Sequence, residues 1–155
     1  MRMVFTKGAG KHDTLDVLRE GAPATRIDCP KQGIVPHEMV HYAVETTLGA
    51  RGFVMRLARG EHATYRMQPE PVSDAVERLV ETLQGDGWSG WTGTPADLLD
   101  LYAVTCRARG CPALPLRAAD IQAVRTHLLA LGAAWDALPV GGLLALDVAA
   151  TAPAP

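Results

Sequence analysis

The sequence predicts an α+β domain in which an N-terminal antiparallel strand meander is closed by a C-terminal strand, with four or five helices between. Three observations predict it. Short apolar segments separated by turn residues fill the first thirty positions, apolar residues recur at helical spacing through the middle, and "LLALDV" near the end alternates with a period of two. A chain of 155 residues, 48% apolar and 21% charged, is long enough to bury a core without disulfides. We expect one domain over residues 1–149 and a loose tail, "ATAPAP", over 150–155.

In chain order, "RMVFT" and "TLDVLR" read as strands joined by a glycine-bearing hairpin turn, "KGAGKHD". The turn "EGAP" leads to a third strand, "ATRIDC", which Pro30 ends because proline cannot donate to a ladder. Pro36 and Gly49 bound a helix over about 36–48. Ser73 is read as the cap of a second helix that places Val76, Leu79, Val80 and Leu83 on one stripe and stops at Gly85. Thr94 caps another, with Pro95 in its first turn and Asp97 at its positive end, running to Gly110. The last helix begins near Ala118 and buries Ile121, Val124, Leu128 and Leu131, with Trp135 near its end. "LLALDV" then closes the sheet.

The net charge of −2 gives no global field toward nucleic acid or an anionic membrane, and Arg51, Arg56, Arg59 and Arg66 read as a solvated helix face. No run approaches the roughly 18 apolar residues of a membrane span, and the start lacks the apolar stretch of a signal peptide, so a cytoplasmic location is expected. An odd count of three cysteines in a reducing compartment reads as small buried thiols, not as a disulfide framework. Trp88 and Trp91, in the loop "GWSGWTGTP", either line a ligand groove or pin the loop to the domain.

Chemistry is concentrated in "HEMVHYAVE", residues 37–45. At about 100° per residue, Val40, Val44 and Leu48 share one arc and His37 and His41 lie along its edge, roughly 40° apart. Imidazoles four residues apart can converge on one ion with bonds of about 2.0–2.1 Å. Glu38 is displaced round the helix, where it can take a proton from a metal-activated water. Glu45, one turn beyond His41, can accept a hydrogen bond from the second nitrogen of that ring and fix its tautomer. His12 and His127 have no partners in sequence and read as surface and helix-face residues.

"HEMVH" resembles the His-Glu-x-x-His signature of the zinc metallopeptidases known as zincins, and a strand meander ahead of the helix is similar to small zincin domains. The resemblance implies Zn²⁺ held by His37 and His41, with Glu38 as general base. Val44 and Thr47 stand where metzincins continue with glycine and a third histidine, so the third ligand must come from elsewhere, with Glu61 or His62 as candidates. The longer stretch "PHEMVHYAVETTLGARGF", together with "WDALPVGGLLALDV", resembles an uncharacterised bacterial family with a His-Asp/Glu-x-x-His-Tyr-x-Val-Glu helix, which brings no activity with it. The expected function is a zinc-dependent hydrolase acting on an unidentified substrate. The alternative is a non-catalytic interaction or structural domain in which the His/Glu row serves packing or binding.

Overall fold

A computed structural model describes residues 1–62 and 67–149. The expected tail over 150–155 and the expected surface position of Arg66 lie outside the described residues. The strands are β1 (Arg2–Thr6), β2 (His12–Leu18), β3 (Thr25–Pro30) and β4 (Leu143–Asp147). They form one antiparallel sheet in the order β3-β2-β1-β4, so the C-terminal strand closes the N-terminal meander as expected. In register, Met3 pairs with Val17 and Leu146, and Phe5 with Leu15 and Leu144. A period of two puts these residues on one face, where Met3, Phe5, Leu15 and Val17 are fully buried. The other face carries the bidentate pairs Arg2–Asp147 and Arg26–Asp16.

Five helices cover the apolar face: α1 (His37–Leu48), α2 (Phe53–Ala58), α3 (Pro71–Trp88), α4 (Pro95–Arg109) and α5 (Ala118–Asp136). Helix α1 is central and packs on α2, α3 and α5, with α4 bridging α3 and α5. One core results, in which Val40 and Val44 of α1 meet Leu79 and Leu83 of α3 and Leu128 of α5. Phe5 meets the Trp135 ring edge-on at 6.4 Å between centroids.

Most helix ends follow from local chemistry. Gly49 and Gly110 close α1 and α4 in the left-handed conformation, at φ 64° and 67°. Thr94 Oγ1 accepts from the Asp97 N–H at 3.1 Å, as the sequence predicts. Helix α3 departs from expectation at both ends. It starts at Pro71, which suits a first turn, and the Ser73 hydroxyl donates to the Arg51 carbonyl instead of capping the helix. It also runs through Gly85 to Trp88 before Gly90 turns the chain at φ 80°. None of the helices among the described residues is long and apolar enough to cross a membrane.

Candidate metal centre

His37 and His41 project from consecutive turns of α1 toward α3 and meet Glu77 there. The Glu77 carboxylate lies between the two rings, with Oε2 2.8 Å from His41 Nε2 and Oε1 3.5 Å from His37 Nε2. One donor atom from each residue falls within 4.8 Å of the others. The rings are 4.7 Å apart between centroids and nearly perpendicular, in an edge-on arrangement, and the Nε2 of each faces the Glu77 carboxylate. A tetrahedral cation with bonds of about 2.0–2.1 Å needs its donors about 3.3 Å apart, and one donor atom from each of the three residues already lies within 4.8 Å of the others. The arrangement can hold a metal ion.

The far nitrogen of each ring is fixed. His37 Nδ1 is 2.8 Å from Gln84 Oε1, on α3, and His41 Nδ1 is 3.0 Å from Glu45 Oε1. With Nδ1–H donating in both cases, each Nε2 faces Glu77. Outer acceptors that set the tautomer of a ligand histidine are a regular part of metal sites. Glu45 is itself held firmly. It is 0% exposed and accepts backbone N–H bonds from Gly52 at 3.1 Å, Val54 at 3.0 Å and Met55 at 2.8 Å. These are the first amides of α2, so the carboxylate satisfies that helix's N-terminal donors and meets its positive end.

Electrostatics reinforce the cluster. Burial opposes charge on the His41 imidazole, but hydrogen bonds to Glu45 and Glu77 and their charges outweigh it, and its pKa is raised to about 9. Burial likewise pushes the Glu77 carboxyl up, and the bond from His41 with the nearby His41, His37 and Arg78 charges more than reverses this, leaving it below the usual range. A proton on His41 Nε2, facing Glu77 Oε2 at 2.8 Å, therefore sits at the point on which the three side chains converge.

The cluster opens on one side to a cleft of about 260 Å³, lined by His41 and Glu77 together with Phe53, Arg56, Met67 and Asp74. His41 is only 2% exposed and is more deeply set than its place on the edge of the apolar arc predicts, because Phe53 of α2 packs 5.7 Å from its ring. His37 is half-buried.

Several residues singled out in the sequence lie elsewhere. Glu38 does not join the cluster. Its carboxyl sits beside the Cys29 thiol on β3, where it adds to the upward shift that burial imposes on that thiol, and its Oε2 is buried without a hydrogen-bond partner among the described residues. About 100° of helix rotation from His37 turns it from α3 toward the sheet. Glu61 is engaged by Arg51 Nη2 and Arg56 Nε, each at 2.8 Å, so its carboxylate is already shared by two guanidiniums. His62 is exposed and borders a different cleft with Arg19 and Arg59. Neither is brought to the two histidines, and the carboxylate that meets them is Glu77. The sequence carries a faint signal for it, since Glu77 follows Val76 at the edge of the α3 apolar stripe just as the histidines edge that of α1. His127 accepts or donates at Thr47 Oγ1 (3.0 Å) and packs edge-on to Tyr42, while His12 is exposed.

The two loop tryptophans separate. Trp91 lines a cavity between α3 and α5, whereas Trp88 is 58% exposed and donates its indole N–H to the Gln32 carbonyl at 2.8 Å. The cysteines are unpaired, with Cys29 and Cys106 buried and Cys111 half-buried. No family model matches the chain, and neither a curated protein nor a solved structure matches it.

Proposed function

We propose that this protein binds one Zn²⁺ through His37, His41 and Glu77 and uses it to hydrolyse an amide or ester bond. The observation that carries the reading is the convergence of two Nδ1-anchored imidazoles and one carboxylate, of which His41 and Glu77 line an open cleft. Two histidines and one glutamate form a ligand set used by catalytic zinc, which keeps a further coordination position for substrate or water. When bound, the ion supplies Lewis acidity, polarising a carbonyl and making water a stronger acid.

The chain's own residues supply the rest. Glu45 and Gln84 hold the two rings in the ligating tautomer and orientation. Phe53 and Met67 give the cleft an apolar wall, where a substrate side chain displaces water. With Glu38 turned toward Cys29, we assign the role of proton acceptor to Asp74, one turn before Glu77 on α3 and lining the same cleft. This departs from the zincin assignment of the base while keeping its two histidines.

The test is a pair of variants in zinc-loaded protein, screened on fluorogenic peptide and aryl ester pools. Asp74→Asn is expected to retain the metal and lose hydrolysis by about 10²-fold or more, and Glu77→Gln to lose both. Hydrolysis that survives Glu77→Gln, or stoichiometric zinc with no turnover of any pool, defeats the enzymatic reading.

A further inference from the structure

A cavity of about 460 Å³ lies away from the candidate metal centre and shares no residue with it. It sits between the C-terminal ends of α3 and α5 and the segment that leads into α1, and its volume falls in the range of small-molecule sites. Three features of its walls identify a ligand class.

One wall is the Trp91 indole, held in a costly conformation. Trp91 has φ 62°, the only positive value for a non-glycine residue among the described residues, and a bulky side chain there is strained. The surroundings enforce it. The Trp91 N–H donates to the Asp86 carbonyl at 2.8 Å, and the Gly93 N–H to Asp86 Oδ1 at 2.8 Å. Arg125 Nη2 donates to the Gly93 carbonyl and lies 3.0 Å from Asp86 Oδ2. The ring rests against Gly87, where an added Cβ would stand 2.9 Å from its Cη2 and Cζ2. A buried acid, a buried arginine and a glycine seat thus present a fixed aromatic surface to the cavity.

The opposite wall is a row on α5: Leu128, Gly132 and Asp136, one turn apart. Gly132 is inside a helix, where glycine is unfavourable, yet nothing forbids a side chain there, since an added Cβ meets only Val35 Cγ1 at 3.9 Å. What its bareness does is keep the cavity open between Leu128 and Asp136. Asp136 is the one charged residue lining the space, and it makes no ion pair among the described residues.

We propose that this cavity binds a small aromatic amine, its ring between Trp91 and Leu128 above Gly132 and its ammonium at Asp136. An indole face favours both a stacked ring and a cation, and a lone carboxylate selects positive charge over neutral or negative ligands.

The test titrates phenethylamine and its neutral counterpart phenethyl alcohol into the intact protein, following the Trp91 indole N–H by ¹H–¹⁵N NMR, with that resonance identified by its loss in Trp91→Phe. Saturable shifts with Kd on the order of 1 mM are expected for the amine, a probe of few heavy atoms. Gly132→Leu fills the cavity and is expected to weaken binding about tenfold or more. Ala133→Leu, at an exposed lining position, serves as a second block should the first variant not fold. Asp136→Asn should weaken the amine about two- to fivefold and leave the alcohol unchanged. The proposal is overturned by no saturable shift up to about 10 mM, by binding that persists in a folded blocked variant, or by equal effects of Asp136→Asn on both probes.

Discussion

Glu45 Oε1 lies 3.0 Å from His41 Nδ1 while both Glu45 oxygens accept backbone N–H bonds at the start of α2. One buried carboxylate thus sets the orientation of a proposed metal ligand and nucleates a six-residue helix that is too short to be stable alone.

Removing Glu45 should therefore strike fold and site together. Glu45→Ala leaves three amides and an imidazole without their acceptor and is expected to cost about 3–5 kcal/mol in denaturant unfolding. Glu45→Gln, which keeps part of the hydrogen bonding, should cost about 1–3 kcal/mol and weaken metal binding by about 10–100-fold. Gly52→Ala should also destabilise, because its Cβ would stand 2.6 Å from both Glu45 Oε1 and Val76 Cγ1.

Glu38 provides a sharp contrast. Because its carboxyl lies beside Cys29 and one oxygen is buried without a partner, Glu38→Gln should keep the metal and any hydrolysis of the native protein. Its unfolding free energy should stay level or rise by about 1 kcal/mol, as the one buried oxygen of Glu38 without a partner no longer carries charge. Metal analysis, turnover and urea denaturation of the single variant check all three. Loss of turnover with metal retained would restore Glu38 as the base.

The metal-free protein should have a stability optimum in mildly acidic solution. The His41 pKa is raised from 6.5 to about 9, so the folded state holds this proton more tightly than the unfolded one. Its contribution is fully present below pH 6.5 and is lost as pH rises through 9, on the order of 3 kcal/mol in all. Glu77 is lowered from 4.5, so its contribution is present above that pH and is lost as pH falls below it. Urea midpoints of chelator-treated protein should peak between about pH 4.5 and 6.5. Glu77→Gln should flatten the alkaline limb.

Thiol reactivity reports the packing directly. Burial pushes the Cys29 and Cys106 thiols up, and both are covered, whereas Cys111 is half-buried. In native protein a disulfide reagent should label one thiol per chain, removed by Cys111→Ser, with the other two appearing only on unfolding. Fast labelling of Cys29 would contradict the seating of β3 beneath α1.

What the sequence made legible is what local pattern controls. The period of two in "LLALDV" and the left-handed stops at Gly49 and Gly110 placed their elements closely, and the four-residue spacings joined His37, His41 and Glu45 on one face. Helix α2 is not legible in the sequence, because "FVMRLA" is too short to show a period and its start is built by Glu45 from another element. The third donor escaped for a related reason. Glu77 is 36 residues from His41 and meets it only through the packing of α1 on α3, while Glu61 and His62, nearer in sequence, are drawn to arginines or to a different cleft. Likewise, nothing in "HEMVH" says which side of the helix faces the sheet, and that decides where Glu38 points.

The most direct test of the central claim is zinc stoichiometry and coordination in purified protein. We predict one Zn²⁺ per chain, an X-ray absorption signature of two imidazoles and oxygen at about 2.0–2.2 Å, and loss of that metal in each of His37→Ala, His41→Ala and Glu77→Ala. Wild-type stoichiometry in the Glu77→Ala variant, or a sulfur scatterer at about 2.3 Å, would contradict it.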